Sequence, residues 1–160
     1  MSVIAAHKIR SAFAALFFML ALPVLAQQPV NFDREPLVIQ TASGKQLKFM
    51  VEIADTNAQR ERGLMYRKQM AGDAGMIFDF GVSRRVQMWM ENTVLPLDML
   101  FIDSAGTIRN IKQNAVPYSR DIIDSMTEVS YVVELNAGTS AKLGIKIGDR
   151  VMSATITKRK

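Results

Sequence analysis

Residues Gly75–Asp103, GMIFDFGVSRRVQMWMENTVLPLDMLFID, decide how the rest of the chain is read. The segment holds the only tryptophan, Trp89, four of the eleven methionines, and a Pro96-Leu97-Asp98 step inside an apolar run. Met76, Phe78 and Phe80 alternate with Ile77 and Asp79, the period of a strand with two unlike faces. Gly81-Val82-Ser83 reads as a turn, and Arg85–Glu91 as a second strand with Val86, Met88 and Met90 on one face and Trp89 on the other. Asn92-Thr93 bends the chain ahead of Pro96. Leu97–Asp103 is apolar nearly throughout, as a strand buried on both faces would be.

Outward from this segment stand Arg62-Gly63-Leu64-Met65-Tyr66-Arg67 on one side and Val132-Val133-Glu134-Leu135-Asn136-Ala137-Gly138 on the other. Together the pieces R-G-L-M-x-R, G-M-I-F-x-F, W-M-x-N-T-x-x-P-L-D-x-x-F-I-D and V-V-E-L-x-A-G resemble the prokaryotic family called domain of unknown function 192, or uncharacterised ACR. The resemblance runs from about Val51 to Val151. It implies one family domain and does not by itself imply a reaction. Two positions depart from the family pattern: Glu91 stands where a lysine is common, and Met88 where an aromatic is.

The chain of 160 residues suits one domain with a real core. Its first 26 residues read as a signal peptide: a basic stretch with Lys8 and Arg10, an apolar run Ser11–Leu22, and Val24-Leu25-Ala26 before the expected cut. Export to a periplasm or beyond follows as an expectation, with no stable membrane span left after cleavage. Losing Lys8 and Arg10 leaves 18 basic against 15 acidic side chains, and neither histidine nor cysteine. The charge is mild and dispersed, with only Lys158-Arg159-Lys160 dense, so no nucleic-acid stripe is expected.

The remaining elements follow in order. Residues 27–36 form a flexible lead-in, and a single domain spans 37–157. Leu37–Ala42 and Lys45–Ala54 are strands about a Ser43-Gly44 turn. Thr56 and Gln59 form a capping box for a short helix, Asn57–Arg62, which Gly63 ends. Thr107–Lys112 is a hairpin partner, Gln113–Thr127 a long irregular loop, and Glu128–Leu135 a strand. Thr139–Leu143 is one helical turn, and Arg150–Thr157 the last strand. The fold class is α+β and mostly β: a small antiparallel barrel or sandwich with one or two short helices.

Without histidine or cysteine there is no Ser-His-Asp or Cys-His nucleophile and no imidazole or thiolate zinc site. Asp98 sits among apolar residues and is either a general acid or base of a carboxylate-dependent hydrolase, or a structural acceptor for backbone amides or an arginine. Asp103 and Glu134 are the other acids within the motifs. Trp89, Asn92, Thr93 and Arg67 are candidates to line a pocket for a small polar ligand, or to pack and satisfy a bend. Arg62 and Arg67 frame Gly63-Leu64-Met65 and could grip an anion or pair with Asp98 or Glu61. Met88 and Met90 could offer thioethers to Cu(I), or fill core gaps. The leading expectation is a non-catalytic binding or accessory module whose surface joins Arg62–Arg67 to Trp89–Asp98, its partner a small ligand or a protein and its cofactors unknown.

Overall fold

The computed structural model describes residues 30–158. The expected signal peptide, the first residues of the lead-in and the last two of the basic tail lie outside them. Seven strands and three short helices form one curled sheet: β1 Arg34–Gln40, β2 Gln46–Ala54, α1 Asn57–Arg62, β3 Ala74–Met88, β4 Leu97–Ile102, β5 Ile108–Ala115, β6 Ile123–Asn136, α2 Thr139–Leu143, β7 Arg150–Ser153 and α3 Ala154–Thr157. Strand order is β5-β4-β6-β3-β2-β1-β7. The two edges approach each other where Thr107 bridges Arg150 and the Val151 amide donates to the Gly106 carbonyl at 2.7 Å. The sheet is thus an open half-barrel, β-dominant as expected. Among the described residues no helix is long and apolar enough to cross a membrane.

Alternation along the strands splits the apolar residues into two cores. Leu37, Val51, Ile77, Leu100 and Val133 pack on one face of the sheet, within the curl. Met76, Phe78, Met99, Phe101 and Val132 pack on the other, under Leu64 and Met90. β4 is buried at every position, which its apolar sequence requires in a strand flanked on both edges and both faces.

Four expectations of local structure are corrected. Gly81-Val82-Ser83 does not end a strand: β3 runs through it as a bulge, in which the register against β6 jumps from Asp79–Tyr131 to Arg84–Val129. Gly81 takes φ 79° there, and its amide donates to the Asp79 carboxylate. β2 and β3 pair in parallel, because α1 and the loop after it return the chain to Met50, midway along β2. The stretch 113–127 is ladder at both ends, and only 116–122 is left between β5 and β6. The last strand stops at Ser153, whose hydroxyl accepts the Ile156 amide and turns Ala154–Thr157 into a helix that buries Ile156. The capping box stands as read: Thr56 accepts the Gln59 amide and the Gln59 side chain accepts the Thr56 amide.

Gly75 lets β3 lie tight against β6. A β-carbon there would sit 2.6 Å from the Glu134 carbonyl oxygen and 2.8 Å from Leu135 Cδ2. Gly75→Ala is expected to destabilise the protein by about 2 kcal/mol, since neither a backbone carbonyl in a ladder nor a fully buried leucine yields readily. Urea denaturation reads this as a lower midpoint at unchanged slope.

Candidate functional site

On the second core's side, the end of α1, the outer edge of β3 and the β3–β4 connection enclose a cavity of about 210 Å³. An apolar cavity of ~150 Å³ takes up benzene, so this one has room for a single ring with substituents. Leu64, Phe78, Phe80 and Met88 give it an apolar lining. Gly63, at φ 45°, closes α1 and brings Leu64 inward, where it is buried. Trp89 follows the last residue of β3 and stands 48% exposed at the mouth, while Met90 beside it is wholly buried. Two backbone contacts hold this connection: the Met90 amide donates to the Ser119 carbonyl at 3.0 Å, and the Tyr66 amide to the Asn92 carbonyl at 2.9 Å.

Three guanidiniums line the cavity. Arg60 is committed to protein: it donates to the Asp79 carbonyl at 2.7 Å and also to the Asp55 carbonyl and the Asn57 side chain. Arg62 lies over the Tyr66 ring at 4.8 Å and Arg84 over the Phe80 ring at 5.0 Å. Among the described residues neither of these two has a carboxylate partner. Glu61, exposed at the end of α1, is the anionic group of the lining.

The remaining polar groups lie deeper. Thr93 is buried, and its hydroxyl donates to the Glu91 carbonyl at 3.3 Å, leaving its oxygen free to accept. Glu134 also lines the cavity, from near the C-terminal end of β6, with Met76 and Met99 as its cross-strand neighbours. It is 4% exposed, and among the described residues its carboxyl makes no hydrogen bond and no ion pair. Burial alone pushes its pKa up to about 8, so the group is mostly an uncharged acid at neutral pH.

Of the residues singled out in the sequence, Arg62, Trp89, Thr93 and Met88 meet here. Arg67 does not: both of its terminal nitrogens grip the Glu52 carboxylate and it covers the Phe32 ring at 5.5 Å, beside a separate cavity. The Arg67 hydrogen bonds hold the Glu52 carboxyl below the usual range, against the opposing effect of burial. Asn92 serves through its backbone, in a left-handed turn at φ 56°. Asp98 is wholly buried and has no arginine partner; it accepts the amides of Asn114, Gly138 and Ser140 and the Ser140 hydroxyl at 2.6 Å. Burial pushes its pKa up, and these four bonds outweigh burial and hold it low. Its lone pairs are committed to protein, which is the structural-acceptor arrangement rather than that of an acid or base facing a substrate. Met88 is partly buried and ends β3, so Met88 and Met90 do not share a strand face as the sequence suggested.

Phe78, Phe80, Arg84 and Glu134 complete the cavity without having been read as site residues. The sign for Glu134 was the same as for Asp98, an acid inside an apolar run.

The segments whose motifs were quoted above are remote in sequence, and Arg62–Met65, Phe78–Phe80, Trp89–Thr93 and Glu134 converge on this one cavity. The family model for uncharacterised ACR proteins matches residues 38–153. A crystal structure of a protein from Sinorhizobium meliloti 1021, described as a candidate transcription regulator, is 57% identical, covers 79% of this chain and 98% of its own, and superposes with a TM-score of 0.78. A protein of unknown function from Novosphingobium aromaticivorans DSM 12444 is 38% identical over 73% of this chain and 83% of its own, with a TM-score of 0.71. No curated protein matches the chain. The chain therefore belongs to the domain of unknown function 192 family, the uncharacterised ACR proteins.

Proposed function

We propose that the protein is an exported, single-domain binding module and that the cavity between Trp89 and Glu134 is its ligand site. One observation carries the reading: four segments of the sequence build a ring-sized cavity with an indole at its mouth and, in its wall, a carboxyl that no described residue bonds. A carboxyl buried without a partner is costly to the fold, and a ligand that supplies the partner offsets that cost. Export is supported by the basic start, the apolar run Ser11–Leu22 and the small residues before Gln27.

Trp89 is the only tryptophan, so intrinsic emission reports occupancy of the cavity directly. Titration with a panel of small aromatic, sugar and peptide compounds is expected to give a saturable change in emission, with a matching rise in Tm. Trp89→Ala is expected to weaken binding about tenfold or more while leaving Tm of the free protein within about 3 °C, because the half-exposed ring contributes to the ligand more than to the core. A panel that moves neither emission nor Tm contradicts the proposal. Export is tested separately, by the N-terminal residue of the protein recovered outside the cytoplasm, which is expected to be Gln27.

A further inference from the structure

We propose, resting on the binding reading above, that the cavity selects a compact amphipathic anion: a ring-sized apolar body, an anionic group held by Arg62 and Arg84, and an uncharged hydrogen-bond acceptor read by Glu134.

Each part of the ligand answers a feature of the site. Leu64, Phe78, Phe80 and Met88 line about 210 Å³, which fits one substituted ring. Arg62 and Arg84 rest on aromatic rings, which leaves guanidinium edges to meet a carboxylate, although Arg84 Nη1 also makes a long 3.5 Å bond to the Arg85 carbonyl. Both lack a carboxylate partner among the described residues, whereas Arg60 and Arg67 are spent on protein acceptors. The lining therefore keeps an excess of positive charge over its one exposed acid, Glu61.

Glu134 sets the opposite end. Its neighbours across β3 and β4 are Met76 and Met99, which offer no strong acceptor or donor. As an uncharged acid it holds one proton to give, and a ligand carbonyl, ether or hydroxyl oxygen can take it. The charged groups that share the cavity lining with it are Arg60, Arg62, Arg84 and Glu61, and burial is the one cause of its raised pKa. A change in affinity between about pH 6 and about pH 9 follows the proton on Glu134, whose pKa burial raises to about 8.

The test uses three probes that share a benzoate body. 4-Acetylbenzoate carries the acceptor, 4-ethylbenzoate lacks it, and 4-(aminomethyl)benzoate replaces it with a cation. Isothermal titration calorimetry at about pH 6 is expected to rank the acetyl compound first. Its affinity is expected to fall about tenfold by about pH 9, as the competent fraction of Glu134 falls. Glu134→Gln keeps a donor on the same skeleton; it is expected to hold affinity within about threefold and to abolish the pH dependence. Arg62→Ala is expected to weaken all three probes alike. Equal binding of the ethyl and acetyl compounds overturns the acceptor assignment while leaving the binding site standing. Preference for the amine, lost in Glu134→Gln, overturns it in favour of a cation. If no probe binds, the ligand class proposed here falls, and the broader emission titration still decides whether the cavity is a site at all.

Discussion

Asp98→Ala is expected to cost the protein about 3–5 kcal/mol, the largest effect of any single change considered. The carboxylate leaves β4 and reaches the start of α2, where Gly138 at the N-cap has no side chain to satisfy the first amides. Asp98 takes the Gly138 and Ser140 amides and the Ser140 hydroxyl, and on its other side the Asn114 amide of β5. One buried acceptor thus ties a helix start and an edge strand to the centre of the sheet, with a negative charge at the favourable end of the helix. Removing it strands four donors. Asp98→Asn keeps the shape but turns donors toward donors on one side, and about 2 kcal/mol is expected. The pKa of Asp98 is lower in the fold than its ordinary 3.8. Its contribution is therefore complete above about pH 4 and is lost as pH falls through the folded value. Urea midpoints across the acid range read both effects.

Glu134→Gln is expected to act in the other direction and to stabilise the free protein. An exposed glutamate ionises near 4.5, whereas this one, buried without a partner, ionises near 8. Between those values folding must take up a proton, so stability falls by about 1.4 kcal/mol for each pH unit as pH rises, and the loss is complete above about pH 8. At about pH 7 the accumulated loss is about 3 kcal/mol, and Glu134→Gln should recover about 2–3 of it, the buried amide having its own desolvation cost. Below about pH 4 both side chains are neutral and the gain should vanish, leaving the variant equal to the parent or less stable by up to about 1 kcal/mol, the amide's own cost. A gain that grows with pH from acid to neutral is the signature; a constant difference would mean that the glutamate is ionised in the fold. A group that destabilises the fold in this way and lines a cavity fits a binding role better than a structural one.

Local chemistry was legible and pairing was not. The Thr56–Gln59 capping box and the turn at Gly44 depend on residues within a few positions, and they form as the sequence reads. Gly81-Val82-Ser83 carries the same composition as a turn, but whether it turns or bulges depends on β6 lying alongside, about fifty residues away in the chain. Parallel pairing of β2 with β3 is invisible for the same reason. At the site, the convergence of Arg62, Trp89 and Thr93 was readable because each stands in an unusual local setting. Arg67 lies apart from Arg62 because its acceptor, Glu52, belongs to a strand with no sequence mark of that contact. Asp98 and Glu134 look alike in sequence, each an acid in an apolar run. Four donors meet one and none meets the other, and only the packing of α2 and β5 decides which.

In the binding reading, Glu134 waits in the cavity as an uncharged acid for a ligand oxygen. Carbon-detected NMR of the Glu134 carboxyl, assigned with Glu134→Gln and titrated with and without 4-acetylbenzoate, tests it most directly. A midpoint of about 8 is expected in the free protein and a higher one with the probe bound, because binding to the protonated form must retain the proton. A midpoint near the ordinary 4.5, or one that the probe leaves in place, would contradict it.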